Sequence, residues 1–230
     1  MRFYEYEAKK LLGRQGIPLP RSGNATTEEE AGDIAATIAG PLVLKAQVLT
    51  GGRMKAGGIQ FTDSSNLVRQ KASEILALDI NGQTSRSVLI EAKAPVRKEY
   101  YAGIIYDALA KRPVLIFSDM GGIDIEEVAL QHPDHIARVH LSNVLPLSDY
   151  KAKEAIASLG VEGTSLTRLT PILIRLARLF FQYNLTLAEI NPLVVTPPCE
   201  NHPDGQVLAI DAKFNFDDNA LFRHPDIKAM

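Results

Sequence analysis

A chain of 230 residues, 46% of them hydrophobic, can bury a sizeable core and suits one large domain or two small ones sharing a cleft. Its 25 Lys and Arg against 27 Asp and Glu leave a formal charge of −2, and the cations are scattered, which excludes the clustered basic footprint of a nucleic-acid binder. The lone Cys199 excludes an intrachain disulfide, no apolar run approaches the ~20 residues of a membrane span, and the charged N-terminus lacks a secretory core, so a soluble, cytoplasmic protein is expected.

Phe3 to Gly13 has the spacing of a short amphipathic helix, with Tyr4, Ala8, Leu11 and Leu12 on one face and Glu5 placed to pair with Lys9. A second helix starts at Thr26, with Glu29 completing a capping box, and ends at Gly40-Pro41. Leu42 to Val48 then alternates as a strand. Leu42, Leu44, Ala46 and Val48 point one way; Val43, Lys45 and Gln47 point the other. The strand runs into a loop holding Gly51, Gly52, Arg53, Lys55, Gly57 and Gly58, and Ile59 to Thr62 returns as a second strand. Glycines let backbone N–H groups approach an anion closely, because no Cβ intervenes. With Lys45, Arg53 and Lys55 around it, the loop reads as a flexible lid over polyphosphate. It is not a Walker A loop: no Lys-Ser/Thr closes it and no helix opens behind it. Taken alone, it also reads as a hairpin with a basic, solvated tip.

Asp63-Ser64-Ser65 caps a third helix, Asn81-Gly82 is a turn, and Ser87 to Ala92 is a buried strand. Residues 20–92 therefore read as helix, strand, strand, helix, strand, a small α+β lobe. Lys93 to Val96 is a linker. Beyond it, Glu99 to Tyr106 and Val114 to Phe117 form a hairpin, Ile136 to Leu141 is a strand, and Ser148 to Leu159 is a helix. Leu166 to Tyr183 is a longer helix that Pro171 opens or kinks. Leu185 to Asn191 is an apolar strand with Glu189 and Asn191 on one face, interrupted at Pro192. If Val195 pairs with Val207, Asn191 falls opposite Asp211. That register sets a carboxamide and a carboxylate side by side, near Glu189, as the hard oxygen donors Mg²⁺ takes. The bland alternative makes Asp211 a turn residue and Glu189 a strand-end charge. Phe214 to Met230 carries no clear capped element.

A basic glycine-rich hairpin early and Glu189-Ile190-Asn191-Pro192 with Asp211 late resemble the ATP-grasp region of the succinyl-CoA synthetase β-subunit family, which includes the malate- and citrate-CoA ligases (ATP-citrate lyase). Other matching pieces are Tyr4 to Lys9, Gly51-Gly52-Arg53, Lys55 to Gly58, Glu91-Ala92, Gly121 to Glu126 and Asn219 to Arg223. The resemblance runs through nearly the whole chain and implies an α+β ATP-grasp fold, two lobes with the nucleotide between them. One lobe would span about 20–95, with the glycine-rich loop. The other would combine 1–19 with 96–230 and hold the metal site.

The resemblance also implies roles. Lys45 and the Gly52-Arg53-Met54 backbone would hold the phosphates of ATP or GTP. Glu91 to Ala94 would sit beside the base, and Glu99 would reach the ribose. Asn191 and Asp211 would bind Mg²⁺, and Glu189 would face the phosphoryl acceptor, a histidine on a partner α subunit that also binds CoA. Two departures stand out. Met54 replaces a usual glycine, which restricts the loop or alters its nucleotide contacts. The family's C-terminal CoA-ligase domain is absent from these residues, so a split subunit or missing β domain is expected as a further partner, with no complete ligase activity alone. The competing function is a non-catalytic nucleotide sensor. His132 and His135 are set aside as a metal pair because Pro133 argues against a helix there; His140, His202 and His224 read as structural or solvent-facing, and Cys199 lacks a basic neighbour to activate it.

Overall fold

The computed structural model describes all residues, Met1–Met230, and its backbone divides into two units: 20–94, and 1–19 together with 95–230. The chain opens in the larger unit with α1 (Glu5–Arg14). Its inward face is Ala8, Leu11 and Leu12, and Lys9 Nζ lies 2.9 Å from Glu5 Oε1, so the expected one-turn pair forms, in a buried setting.

The 20–94 unit contains β1 (Ser22–Ala25), α2 (Glu28–Ala36), β2 (Leu42–Ala46), β3 (Ile59–Thr62), α3 (Val68–Leu76), β4 (Asp79–Ile80), β5 (Gln83–Thr84) and β6 (Val88–Ala92). Four strands form one antiparallel sheet in the order β1-β6-β2-β3. Leu42, Leu44 and Ala46 of β2 lie opposite Ala92, Ile90 and Val88 of β6, and that face packs on Ala31 and Ala35 of α2 and Val68, Ala72 and Ile75 of α3. The N-cap of α2 sits one residue later than the sequence suggested. Thr27 accepts from Glu30 N–H at 3.2 Å, and Glu30 Oε2 accepts from Thr26 N–H at 2.7 Å. No side chain caps α3: a 3₁₀ turn at Ser65–Leu67 leads into it. The edge strand β1 and the short β4–β5 hairpin are each too brief to show a period in the sequence.

The larger unit contains β7 (Lys98–Asp107), β8 (Arg112–Ser118), α4 (Ile125–Gln131), β9 (Ile136–His140), α5 (Asp149–Ala157), α6 (Gly163–Gln182), β10 (Leu185–Val195), β11 (Val207–Ala209), β12 (Ala212–Phe216) and α7 (Pro225–Lys228). The sheet runs β11-β10-β7-β8-β9, with β12 also paired to β10. One face, including Ala102, Ile104, Phe117, Ala188, Ile190 and Phe214, shares a core with Leu11, Leu12, Ile156, Leu173, Leu176 and Phe180 from the helices. Helix α6 runs unbroken through Pro171; beside the proline, Thr170 Oγ1 donates to Leu166 O at 2.7 Å. Strand β10 also continues through Pro192, with a register shift against β7 between Ile190 and Leu193. A proline in a strand is confined to such irregular positions because it has no N–H to offer. The last segment is more ordered than its sequence suggested: Asp217 accepts from Asn219 N–H at 3.0 Å and caps a 3₁₀ turn ahead of α7.

Candidate functional site

In the 20–94 unit the alternation of β2 turns Lys45 away from the core shared with α2 and α3. Val43 lies opposite Glu91 and Lys45 opposite Leu89, so Lys45 and Glu91 are diagonal neighbours on that second face. Lys45 Nζ donates to Glu91 Oε1 at 2.9 Å, and the two residues are 4% and 0% exposed. Charges this far from water persist only with good mutual geometry. The family resemblance assigns Lys45 to phosphate and Glu91 to the base; the structure joins their charged ends.

The loop after β2 is anchored at its root. Gln47 N–H donates to Ser85 Oγ at 3.0 Å, Leu49 N–H to Gln83 Oε1 at 2.9 Å, and Asn81 Nδ2 to Gly51 O at 3.1 Å. The β4–β5 hairpin and the residues after it are therefore the brace of the loop. At the tip, Ala56 N–H donates to Gly52 O at 3.1 Å and Gly58 N–H to Arg53 O at 2.8 Å. Gly52 takes a φ of +82°, which favours glycine. Arg53 folds back, its Nη1 donating to Ala46 O at 3.2 Å. Met54 is 57% exposed. The non-glycine residues with positive φ are Asn81, Lys111 and Asn184, so Met54 meets no backbone demand for glycine. Ala94 is part-buried, next to Lys93, whose N–H donates to Pro41 O at 2.8 Å.

In the larger unit the register inferred from sequence holds: Val195 lies opposite Val207, and Asn191 N–H donates to Asp211 O at 3.2 Å. The same alignment puts Gly103 of β7, Glu189 of β10 and Lys213 of β12 in one row across the sheet. This row belongs to the face turned away from the main core. There Glu189 and Lys213 line a cavity of about 430 Å³ with Tyr101 and Asn191, and Asp124 and Glu126 at the start of α4 form another part of its wall. Helix α4 was not recognised in the sequence; Asp124 caps it, accepting from Glu126 N–H at 2.9 Å.

Burial pushes the Glu189 carboxyl above the usual carboxylate range. Lys213 and a hydrogen bond from Tyr101 oppose that shift, and Asp211 and Asp124 reinforce it. The Asn191 carboxamide is fixed at both ends: Oδ1 accepts from Gly122 N–H at 2.8 Å, and Nδ2 donates to Ile123 O at 2.9 Å. Asp211 Oδ1 accepts from Ala212 N–H at 2.8 Å. A carboxamide oxygen and a carboxylate on facing residues suit a hard cation such as Mg²⁺, which keeps waters and phosphate oxygens for its other positions. No group of three or more His, Cys, Asp or Glu is arranged to hold a metal ion, and this two-donor pair is smaller than such a group.

Glu99 joins the same neighbourhood through the Gly121-Gly122 turn. A Cβ on Gly122 would lie 2.2 Å from Glu99 Oε2, and one on Gly121 would lie 2.4 Å from Tyr100 O. Glu99 also lines a cavity of about 320 Å³ with Arg97, Lys98 and Asp119. The structure thus brings together Lys45 with Glu91, and Glu189 with Asn191, Asp211 and, through the turn, Glu99. Sequence reasoning missed Tyr101 and Lys213. Their signal was the alternation Glu99, Tyr101, Gly103 on β7, and the register of β12. Three histidines are held by structural partners: His135 by Asp119 at 2.7 Å, His140 by Asp107 at 2.8 Å and His224 by Asn184 at 2.8 Å.

Residues 2–195 match the family described as ATP-grasp domain. The chain is 43% identical over 227 residues to the β subunit of the GDP-forming succinate–CoA ligase of Thermus thermophilus, covering 99% of this chain and 58% of that one. It is 41% identical, with the same coverage, to the ADP-forming succinate–CoA ligase subunit beta 1 of Archaeoglobus fulgidus. This chain therefore spans less than two thirds of the length of these curated relatives. Among solved structures it resembles the dinucleotide-forming acetyl-coenzyme A synthetase 1 of Ca. Korarchaeum cryptofilum. The TM-score is 0.73 at 23% identity, over 94% of this chain and 93% of that one, a likeness of fold. No helix is long and apolar enough to cross a membrane.

Proposed function

The chain belongs to the ATP-grasp domain family, and from that premise we propose that it is the nucleotide-binding part of an acid–CoA ligase of the succinate–CoA ligase type. It uses Mg-ATP or Mg-GTP to move a phosphoryl group to or from a histidine on a partner α subunit that also holds the CoA site. The observation that carries this reading is the row on the larger sheet. Glu189, a half-buried carboxyl beside a cavity, shares its face with Asn191, and Asn191 lies opposite Asp211. Nucleotide binding alone gives Glu189 no evident role.

Phosphoryl transfer asks a protein mainly to position its reactants and to neutralise charge. Asn191 and Asp211 would hold Mg²⁺, which supplies charge neutralisation at the phosphates. The backbone of Gly52, Arg53 and Met54 would contact the phosphates through N–H groups, with Lys45 adding positive charge held in place by Glu91. Glu91 to Ala94 would border the base and Glu99 the ribose. Glu189 would accept the N–H of the acceptor imidazole and so orient its other nitrogen toward the phosphoryl group.

The test supplies the α subunit and the remaining part of the relatives' β subunit as partners, and follows ADP or GDP phosphorylation from succinyl-CoA and phosphate. Turnover is expected. Tight Mg-nucleotide binding with no turnover on any tested acyl-CoA would replace this reading with a nucleotide sensor. For the metal, Asp211→Ala should abolish the Mg²⁺-dependent tightening of ATP. Asp204→Ala should not, because Asp204 faces Arg168 at 3.3 Å on the surface. Equal behaviour of the two variants would refute the metal assignment.

A further inference from the structure

We infer that Tyr101 is a positioning residue that fixes the Glu189 carboxylate, and that position 103 is glycine so that the Tyr101 ring can reach across it. The inference rests on the reading of Glu189 as the group facing the phosphoryl acceptor. Tyr101 is 2% exposed, and its hydroxyl donates to Glu189 Oε2 at 3.4 Å. Tyr101 and Gly103 are two apart on β7 and so share a face, while Gly103 lies directly opposite Glu189. To reach Glu189 the phenol has to lean along its own strand over position 103. A Cβ there would lie 2.3 Å from the Tyr101 oxygen and 2.8 and 2.9 Å from two ring carbons. Gly103 is not among the positive-φ glycines, so its backbone places no demand for glycine. The demand comes from the ring.

The other neighbours of Glu189 explain why a fixed donor matters. Lys213 stands opposite it on the other side, on β12, and its charge attracts the carboxylate. Asp124 and Asp211 repel it. The phenol is a neutral donor, so it can hold one oxygen without cancelling the charge that an acceptor imidazole would need. A buried hydroxyl also requires a partner, and Glu189 is the one this geometry offers.

The test compares Tyr101→Phe, Gly103→Ala and Glu189→Gln in the full chain. Crystal structures of the first two should show the carboxylate swung toward Lys213; an unchanged rotamer in both would overturn the inference. In the reconstituted assay Tyr101→Phe should lower kcat roughly 10- to 100-fold, the scale of a small misplacement. KM for nucleotide and melting temperature should stay nearly constant, which a merely structural tyrosine would not allow. In the Glu189→Gln background the same change should add almost nothing; an equal loss in both backgrounds would also overturn it. If the carboxylate swings but the wild-type chain never turns over with its partners, the reading of Glu189 in phosphoryl transfer falls and the positioning role stands.

Discussion

Lys45 with Glu91 in the 20–94 unit and Glu189 with Tyr101 in the larger unit occupy the same kind of place, the sheet face turned away from the main core. They handle charge differently. The first is a closed ion pair at 2.9 Å, with residues 4% and 0% exposed. The second is a carboxylate met by a neutral phenol at 3.4 Å, beside a cavity of about 430 Å³. An ion pair fixes two charged side chains against each other. A phenol fixes one side chain and leaves its charge available. The difference is one of charge: the first face holds its two charges paired, and the second leaves a carboxylate beside open space.

The comparison can be broken most sharply at the ion pair. Lys45→Met removes a partner from a carboxylate in a fully buried residue and should destabilise the 20–94 unit by about 3–5 kcal/mol, read as a lowered urea midpoint. Lys45→Met with Glu91→Leu removes both charges and should recover most of that loss. If the double variant is as unstable as the single one, the pair is not what holds that face together. Tyr101→Phe, which strands no charge, should change stability far less.

The glycines extend the contrast. Gly51 of the loop has nothing within 4 Å of where a Cβ would stand, whereas Gly121 would drive one to within 2.4 Å of the Tyr100 backbone. Gly51→Ala should therefore alter stability by no more than about 0.5 kcal/mol. Gly121→Ala should cost about 1–3 kcal/mol, as overpacking does, and should loosen the turn that binds Asn191. Equal melting temperatures for the two variants would remove the distinction between a loop built for freedom and a turn built for close approach.

Much of this was legible in the sequence, and the reason differs by region. The alternation of β2 separated Lys45 from Leu44 without any structure, because strand period is strict. The pairing of Asn191 with Asp211 followed from one assumed contact, because an antiparallel register fixes every other pair. What stayed hidden depends on contacts between elements distant in sequence. The charged end of Lys45 meets Glu91, 46 residues away, and Asn191 is clamped by the turn at Gly122. Helix α4 is seven residues long, too short for its period to stand out. The sequence places the start of α2 one residue early because Thr26 and Thr27 are both able to cap; Thr27 does so, accepting from Glu30 N–H, while the Glu30 carboxylate takes the N–H of Thr26.

That carboxylate and Asp107 offer the smallest test, one in which the two units should agree. Glu30 sits below the usual carboxylate range, chiefly because Thr26 N–H donates to it. Asp107, at the β7–β8 turn, is lowered first by Ala110 N–H and then by His140. A carboxyl whose folded pKa is depressed adds stability above its unfolded value, near 4, and loses it as pH falls through the folded value. The stability advantage of the wild type over Glu30→Gln, and over Asp107→Asn, should therefore be steady above about pH 5 and shrink toward pH 3. Both groups lie at the surface, where water screens them, so the shifts in urea midpoint should be small. Their shared sign matters more than their size. Surface acids should act alike in both units, so that any real difference between the units is confined to the two sheet faces that hold Lys45 and Glu189. A strong pH dependence in one unit only would show that the surface takes part in that difference too.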